Sequence, residues 1–218
     1  MRTIETKVYL FDELNDKAKA RAIEEHRDWN VGDIEWWDFS YDHHKDRLKE
    51  FGYQVKDIKF SGFWSQGDGA CFSGHVNKDH NQCLALLPCD LATRVREFNA
   101  KCRLFGAPEI ELSFASRITT NGRYSHSGTM SLDCPTFVWG DHDTDEYDIP
   151  TQAEFAELTQ VLHDCAEIDK AVIEEAREYA DEIYSELEEE YEFLTSDEQV
   201  AEMIRANGYE FDEDGDRI

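Results

Sequence analysis

Ten carboxylates fall within nineteen residues of this chain: Glu174, Glu175, Glu178, Asp181, Glu182, Glu186, Glu188, Glu189, Glu190 and Glu192. Glu174, Glu178, Glu182 and Glu186 repeat at i,i+4, a spacing that stacks like charges on one helix face and mildly destabilises it. Each step rises about 6 Å along a helix, close to the spacing of neighbouring phosphates on a nucleic-acid strand. A groove of Lys and Arg built for phosphates would accept such a row. The chemistry on offer is therefore electrostatic docking, with Glu174, Glu178, Asp181, Glu182, Glu186 and Glu189 as phosphate surrogates. The bland alternative is a solvated face that serves solubility.

A second acidic cluster, Asp141-His142-Asp143-Thr144-Asp145-Glu146-Tyr147-Asp148, places oxygens at alternate positions like the start of a calcium loop. It has Glu146 where such a loop needs glycine and Gln152 where it needs a bidentate Glu. We read Asp141, Asp143, Asp145, Glu146 and Asp148 as an extension of the acidic surface, with no metal site. His80, Cys83 and Cys89 are the nearest approach to zinc ligands, but their spacing is wrong for it. The six cysteines form no C-x-x-C pair and read as reduced and mostly buried.

The charge is unevenly placed. Residues 141–218 hold 28 Asp and Glu against four bases (Lys170, Arg177, Arg205 and Arg217), within a total net charge of −27. The first 140 residues are close to neutral. Such a field repels nucleic acid and anionic membrane and attracts basic surfaces. No run of about 18 apolar residues exists to span a membrane. The opening MRTIETKVYLF lacks a secretory apolar region, so the expected compartment is cytoplasmic. No H-E-x-x-H, G-x-S-x-G or phosphate-loop motif appears, so we expect no enzyme and no cofactor.

The elements that position these groups can be read from periodicity. Thr3–Leu10 alternates as a strand. A helix follows, capped by Asp12 or Asn15, and another covers about Glu35–Phe51, with His44 on its apolar face and Gly52 as its stop. Tyr53–Trp64 and Ala70–Val76 form a hairpin around Ser65-Gln66-Gly67-Asp68-Gly69. Asp90 caps a helix from Leu91 to about Leu104. Ile110–Ile118 and Thr129–Trp139 are two further strands, turning at Asn121-Gly122. From Gln152 to Asn207 there is neither Gly nor Pro. Phe155, Leu158, Leu162, Cys165, Ile168, Val172, Ala176, Tyr179, Ile183, Leu187, Tyr191 and Leu194 recur at steps of three and four, the seam of one helix or two collinear ones. Ser196 starts a last short helix, stopped near Gly208, and Tyr209–Asp216 is a short strand or acidic tail.

The expected fold is α+β: an antiparallel sheet of four to five strands with helices on one face and a long acidic C-terminal helix. The expected division is an α+β body, 1–140, and an acidic helical region, 141–218, packed on it or projecting from it. The seam is regular enough for a homodimer through the long helix.

The string FSGFWSQGDGACFSG, together with TIETKVYLFDELNDKAKARAIEEHRDWN and EWWDFSYDHHKD, resembles a family of uncharacterised proteins of tailed bacteriophages over about residues 3–76. Some relatives of that kind are labelled antitoxins of toxin–antitoxin systems. The resemblance implies an accessory protein that acts on a host protein in the bacterial cytosol, and it supplies no active site. The leading expectation is a non-enzymatic inhibitor that presents its acids to a basic, nucleic-acid-binding host protein, such as a defence nuclease or a CRISPR or restriction component, without binding nucleic acid itself. The first alternative is an antitoxin-like partner that docks through aromatics such as Trp36, Trp37, Phe63 and Trp64. The second is a small-ligand or nucleotide binder, or an enzyme, that uses Gln66, Gly67, Asp68 and Gly69.

Overall fold

The computed structural model describes residues 7–32, 35–140, 152–163 and 167–218. It is α+β, with one four-stranded antiparallel sheet and one two-stranded ribbon. The chain divides into two compact units: a central unit, Tyr41–Tyr184, and a terminal unit, Met1–Ser40 with Ser185–Ile218.

In the central unit the sheet runs β2(Tyr53–Phe60), β3(Ala70–Lys78), β4(Leu112–Thr120) and β5(Met130–Trp139), each antiparallel to its neighbour. Its helices are α4(His80–Leu86), α5(Cys89–Phe105), α6(Gln152–His163) and most of α7(Glu167–Leu194), with the later part of α3(Asp38–Glu50). Alternation along β3 and β4 sorts the two faces. Phe72, Gly74, Val76 and Lys78 on β3, and Leu112, Phe114, Ser116 and Ile118 on β4, are buried. His75, Asn77, Ser113, Ala115 and Arg117 are exposed on the other face. This one-sided burial is typical of antiparallel sheets with a single covered face.

Two glycines permit close backbone approaches. Gly52 ends α3 with φ +85°, and a Cβ there would meet the Asn77 carbonyl oxygen at 2.3 Å. At Gly74 a Cβ would lie 2.2 Å from the Gln54 carbonyl oxygen. Opposite Gly74, β2 carries an extra residue: Val55 pairs with Gly74 and Asp57 with Ser73, leaving Lys56 as a bulge. A second irregularity lies where Ala115 pairs with Thr136 and Arg117 with Asp133. There Cys134 has φ 55° and Pro135 offers no N–H to the ladder.

The connection between β3 and β4 holds more helix than the sequence reading assigned. Asp79 and Gln82 form a capping box that starts α4, which that reading missed. The helix expected from Leu91 begins at Cys89, so Asp90 lies in its first turn and is not its cap. The Asn99 side chain reaches from α5 to both backbone groups of Ile110, donating to its carbonyl at 2.9 Å and accepting from its N–H at 2.8 Å. That pair of bonds fixes the approach to β4 against α5. Strand β2 stops at Phe60, short of the expected Trp64, because Gly62 turns the chain at φ +88°.

In the terminal unit, β1(Tyr9–Leu10) pairs antiparallel with β6(Glu210–Phe211). Phe11, Leu14, Ala18 and Ala22 pack with Val200, Ala201, Ile204 and Phe211. Ala18 and Ala22 come from α1(Asp16–His26), capped by Asn15, and Val200, Ala201 and Ile204 from α8(Asp197–Asn207), capped by Ser196 and closed by Gly208; Phe11 and Leu14 precede α1, and Phe211 lies on β6. A short helix, α2(Trp29–Gly32), follows α1. The C-terminal end of α7 has no basic residue in its last turn. Arg27 donates to the Thr195 carbonyl and Asn30 to that of Leu194, which satisfies two of the orphan acceptors at that end.

Asn99→Ala should lower the stability of the central unit by about 1–3 kcal/mol, because it orphans two buried backbone groups. Urea denaturation followed by circular dichroism measures this. An unchanged midpoint would show that the Asn99 bonds do not hold β4 in place.

Candidate interaction surfaces

Helix α7 buries Ile168, Val172, Ala176, Ala180 and Ile183 within the central unit. Steps of three and four make this a narrow stripe, and the stripe sets where each carboxylate goes. Those beside it meet bases of other elements. Glu175 accepts from the Tyr53 hydroxyl at 2.6 Å and takes an ion pair from Lys78, which also donates to the Phe51 carbonyl at 2.6 Å. The Lys78 ammonium sits 4.2 Å from the centre of the Tyr53 ring. Glu182 receives Arg47 at 2.8 Å. On α6, Glu157 and Glu154 receive Arg94 and Lys101, each at 2.8 Å. The body's bases thus neutralise part of the acidic third of the sequence.

The carboxylates opposite the stripe are different. Glu174, Glu178 and Asp181 are exposed, and among the described residues no base pairs with them. Farther along α7, Glu189 and Glu192 are exposed too, while Glu182 and Glu186 are half-buried. Of the six residues expected as phosphate surrogates, four therefore face solvent. Asp141, Asp143, Asp145, Glu146 and Asp148 lie outside the described residues. Among the described residues no group of His, Cys, Asp and Glu could hold a metal ion.

The other surface is the tip of the sheet. Because β3 pairs antiparallel with β4, the β2–β3 turn and the β4–β5 turn lie at the same end. Their backbones almost touch. A Cβ at Gly69 would lie 2.6 Å from the His126 Cβ, and one at Gly67 would lie 3.7 Å from the Tyr124 ring. The glycines of this loop make room for the neighbouring loop. Asp68 closes its own turn, accepting from the Ser65 N–H at 2.6 Å while its N–H donates to the Ser65 carbonyl. Gln66 and Gly67 are exposed, Asp68 is half-buried and Gly69 is buried.

Two aromatic rings stand out from this tip: Trp64, 72% exposed, and Tyr124, 57% exposed. The other aromatics expected as contacts are less available. Phe63 is buried and stacks on Phe60; Trp36 and Trp37 are half-buried and pack on each other. The sequence reading took 119–128 only as a turn and missed Tyr124 and its neighbours Arg123 and His126. The signal available was the order of two hairpins in one antiparallel sheet.

Residues 36–197 match a family model, and that span contains both surfaces. The chain belongs to the family described as a domain of unknown function, DUF8835. That description carries no phage or antitoxin name. The family's span also takes in α7, which the sequence resemblance left out. No curated protein and no solved structure matches the chain.

Burial shapes the proton equilibria beneath α7. It pushes the Tyr179 phenol up to about 12. The Tyr53 phenol goes higher still, through burial first and then its bond to Glu175. Burial lowers the Lys78 ammonium, with Glu175 opposing. In the unfolded chain both phenols ionise near pH 10. Their stabilising contribution is therefore complete below about pH 10 and is lost as pH rises through the folded values. Lys78 has the opposite sign, since the cost of burying its charge fades as it deprotonates. With two phenols against one amine, the urea midpoint should fall between about pH 10 and 12. Tyr53→Phe should flatten that fall; an equally steep fall in the variant would remove Tyr53 from the account.

Proposed function

We propose that this protein is a non-enzymatic binding protein that docks on the basic surface of a nucleic-acid-binding partner. The outward carboxylates of α7 stand where a nucleic acid's phosphates would. The observation that carries this reading is the sorting of charge on α7. Acids beside the buried stripe take Lys78 and Arg47, whereas Glu174, Glu178 and Asp181 are exposed without a base among the described residues. A face kept only for structure would mix signs. With the phage resemblance, the partner is a host factor, a defence nuclease or a CRISPR or restriction component, whose activity the docking blocks.

The triple variant Glu174→Lys, Glu178→Lys and Asp181→Lys tests it. These side chains hold no pair, so stability should stay within about 0.5 kcal/mol per site. Immobilised wild-type protein should retain a nucleic-acid-binding protein from bacterial lysate, release it at moderate salt and lose it to competing DNA. The variant should retain none of it. Equal retention by the variant would sink the electrostatic reading.

An antitoxin-like reading is favoured by the exposed rings of Trp64 and Tyr124, since hot spots are rich in Trp and Tyr. On that reading Trp64→Ala with Tyr124→Ala weakens capture at least tenfold, and the complex survives high salt. If the double variant binds like wild type, the tip is not the contact.

A further inference from the structure

The uncovered face of the central sheet carries a groove of about 480 Å³ lined by Lys56 on β2, Ser73 and His75 on β3, and Arg117 and Thr119 on β4. In a chain of net charge −27, every ionisable side chain that lines this groove is a base. His75 and Arg117 are direct cross-strand partners in the β3–β4 register, and Ser73 lies opposite Asp57. Two basic groups facing each other across a ladder are unfavourable when both are charged. An anion between them removes that cost.

The third base arrives through the β-bulge. Lys56 is the unpaired extra residue on β2, and Gly74 lets the β2 backbone come close at that point. Bulges of this kind re-aim a side chain. Of the nearby acids, Asp57 pairs with Lys59 at 3.4 Å, and Asp133, the partner of Arg117 across β4–β5, pairs with Arg117 at 3.5 Å, a contact that an incoming anion would have to share or displace. Lys56 and His75 have no carboxylate partner among the described residues. Hydroxyls complete the lining. Thr119 bonds to Ser131 across β4–β5, and Ser73 is half-exposed in the groove.

We infer that this groove is a phosphate-binding site for a small phosphorylated ligand, held by Lys56, His75 and Arg117 with Ser73 donating a hydroxyl. Arg offers a planar fork to phosphate oxygens, Lys a point charge, and the groove has room for more than a bare phosphate. The site uses no residue of α7 and stands apart from the docking proposed above.

The test is calorimetric titration of the full chain with inorganic phosphate and with AMP, alongside proton–nitrogen spectra of the His75 imidazole. Saturable binding is expected, with shifts at His75. His75→Ala and Arg117→Ala should each weaken it about tenfold, the loss of one charged hydrogen bond. Tighter binding of AMP identifies a phosphate ester as the ligand; equal binding identifies free phosphate. These exposed residues lie away from the core, and circular dichroism checks that the variants fold. The triple α7 reversal should bind phosphate at least as well as wild type. Absence of saturation with both probes, equal competition by chloride or glutamate, or full binding by a Lys56→Ala, His75→Ala, Arg117→Ala variant would overturn the assignment.

Discussion

A buried ammonium governs the central unit. Lys78 ends the inward row of β3, where its companions are Phe72, Gly74 and Val76, and its side chain is 1% exposed. A charge so placed costs several kcal/mol unless it is paired and hydrogen-bonded. Glu175, the Phe51 carbonyl and the Tyr53 ring answer that need from α7, the end of α3 and β2. In the observed rotation of α7 that carboxylate is Glu175, beside the buried stripe of Val172 and Ala176. Turning the helix by one residue, about 100°, would swing Glu175 away and take the stripe out of the core with it. The apolar stripe alone would tolerate small slips, and the ion pair is less forgiving. The same rotation then determines which acids face out.

The charge asymmetry of the sequence is thus partly resolved inside the fold. Arg47, Lys78, Arg94 and Lys101 each take a carboxylate from α6 or α7. The surplus is expressed on the outward side of α7, while the open face of the sheet keeps a local excess of bases. The apolar seam of α7 is buried against the chain's own residues, so a second copy would have to meet the helix through other side chains. A molecule with acids on one helix and bases on the uncovered sheet face has a defined polarity, which a net charge does not describe.

Much of the architecture was legible because the periodicities are long and regular. The seam from Ile168 to Ile183, the caps at Asn15 and Ser196, and the stops at Gly52 and Gly208 follow from local rules. The α4 helix was missed although Asp79-x-x-Gln82 is a capping box, because seven residues give too short a period to read. The end of β2 fell four residues short of Trp64, where Gly62, not polarity, decides the turn. The sites were harder. Which carboxylates of α7 are neutralised depends on Arg47 and Lys78, 97 or more residues away in sequence. The placing of Trp64 and Tyr124 at one tip, and of Lys56 and Arg117 in one groove, exists only once strand order and register are known.

The two outer strands of the sheet share a feature whose effect lies beyond this single chain. Strand β2 is interrupted at Lys56 and β5 at Cys134–Pro135. An unbroken margin is a template on which identical chains zip together into growing ribbons. Here each margin offers only a few bonds in a row before its spacing fails. However much of the protein accumulates in one place, its sheets lack a straight rail along which to polymerise.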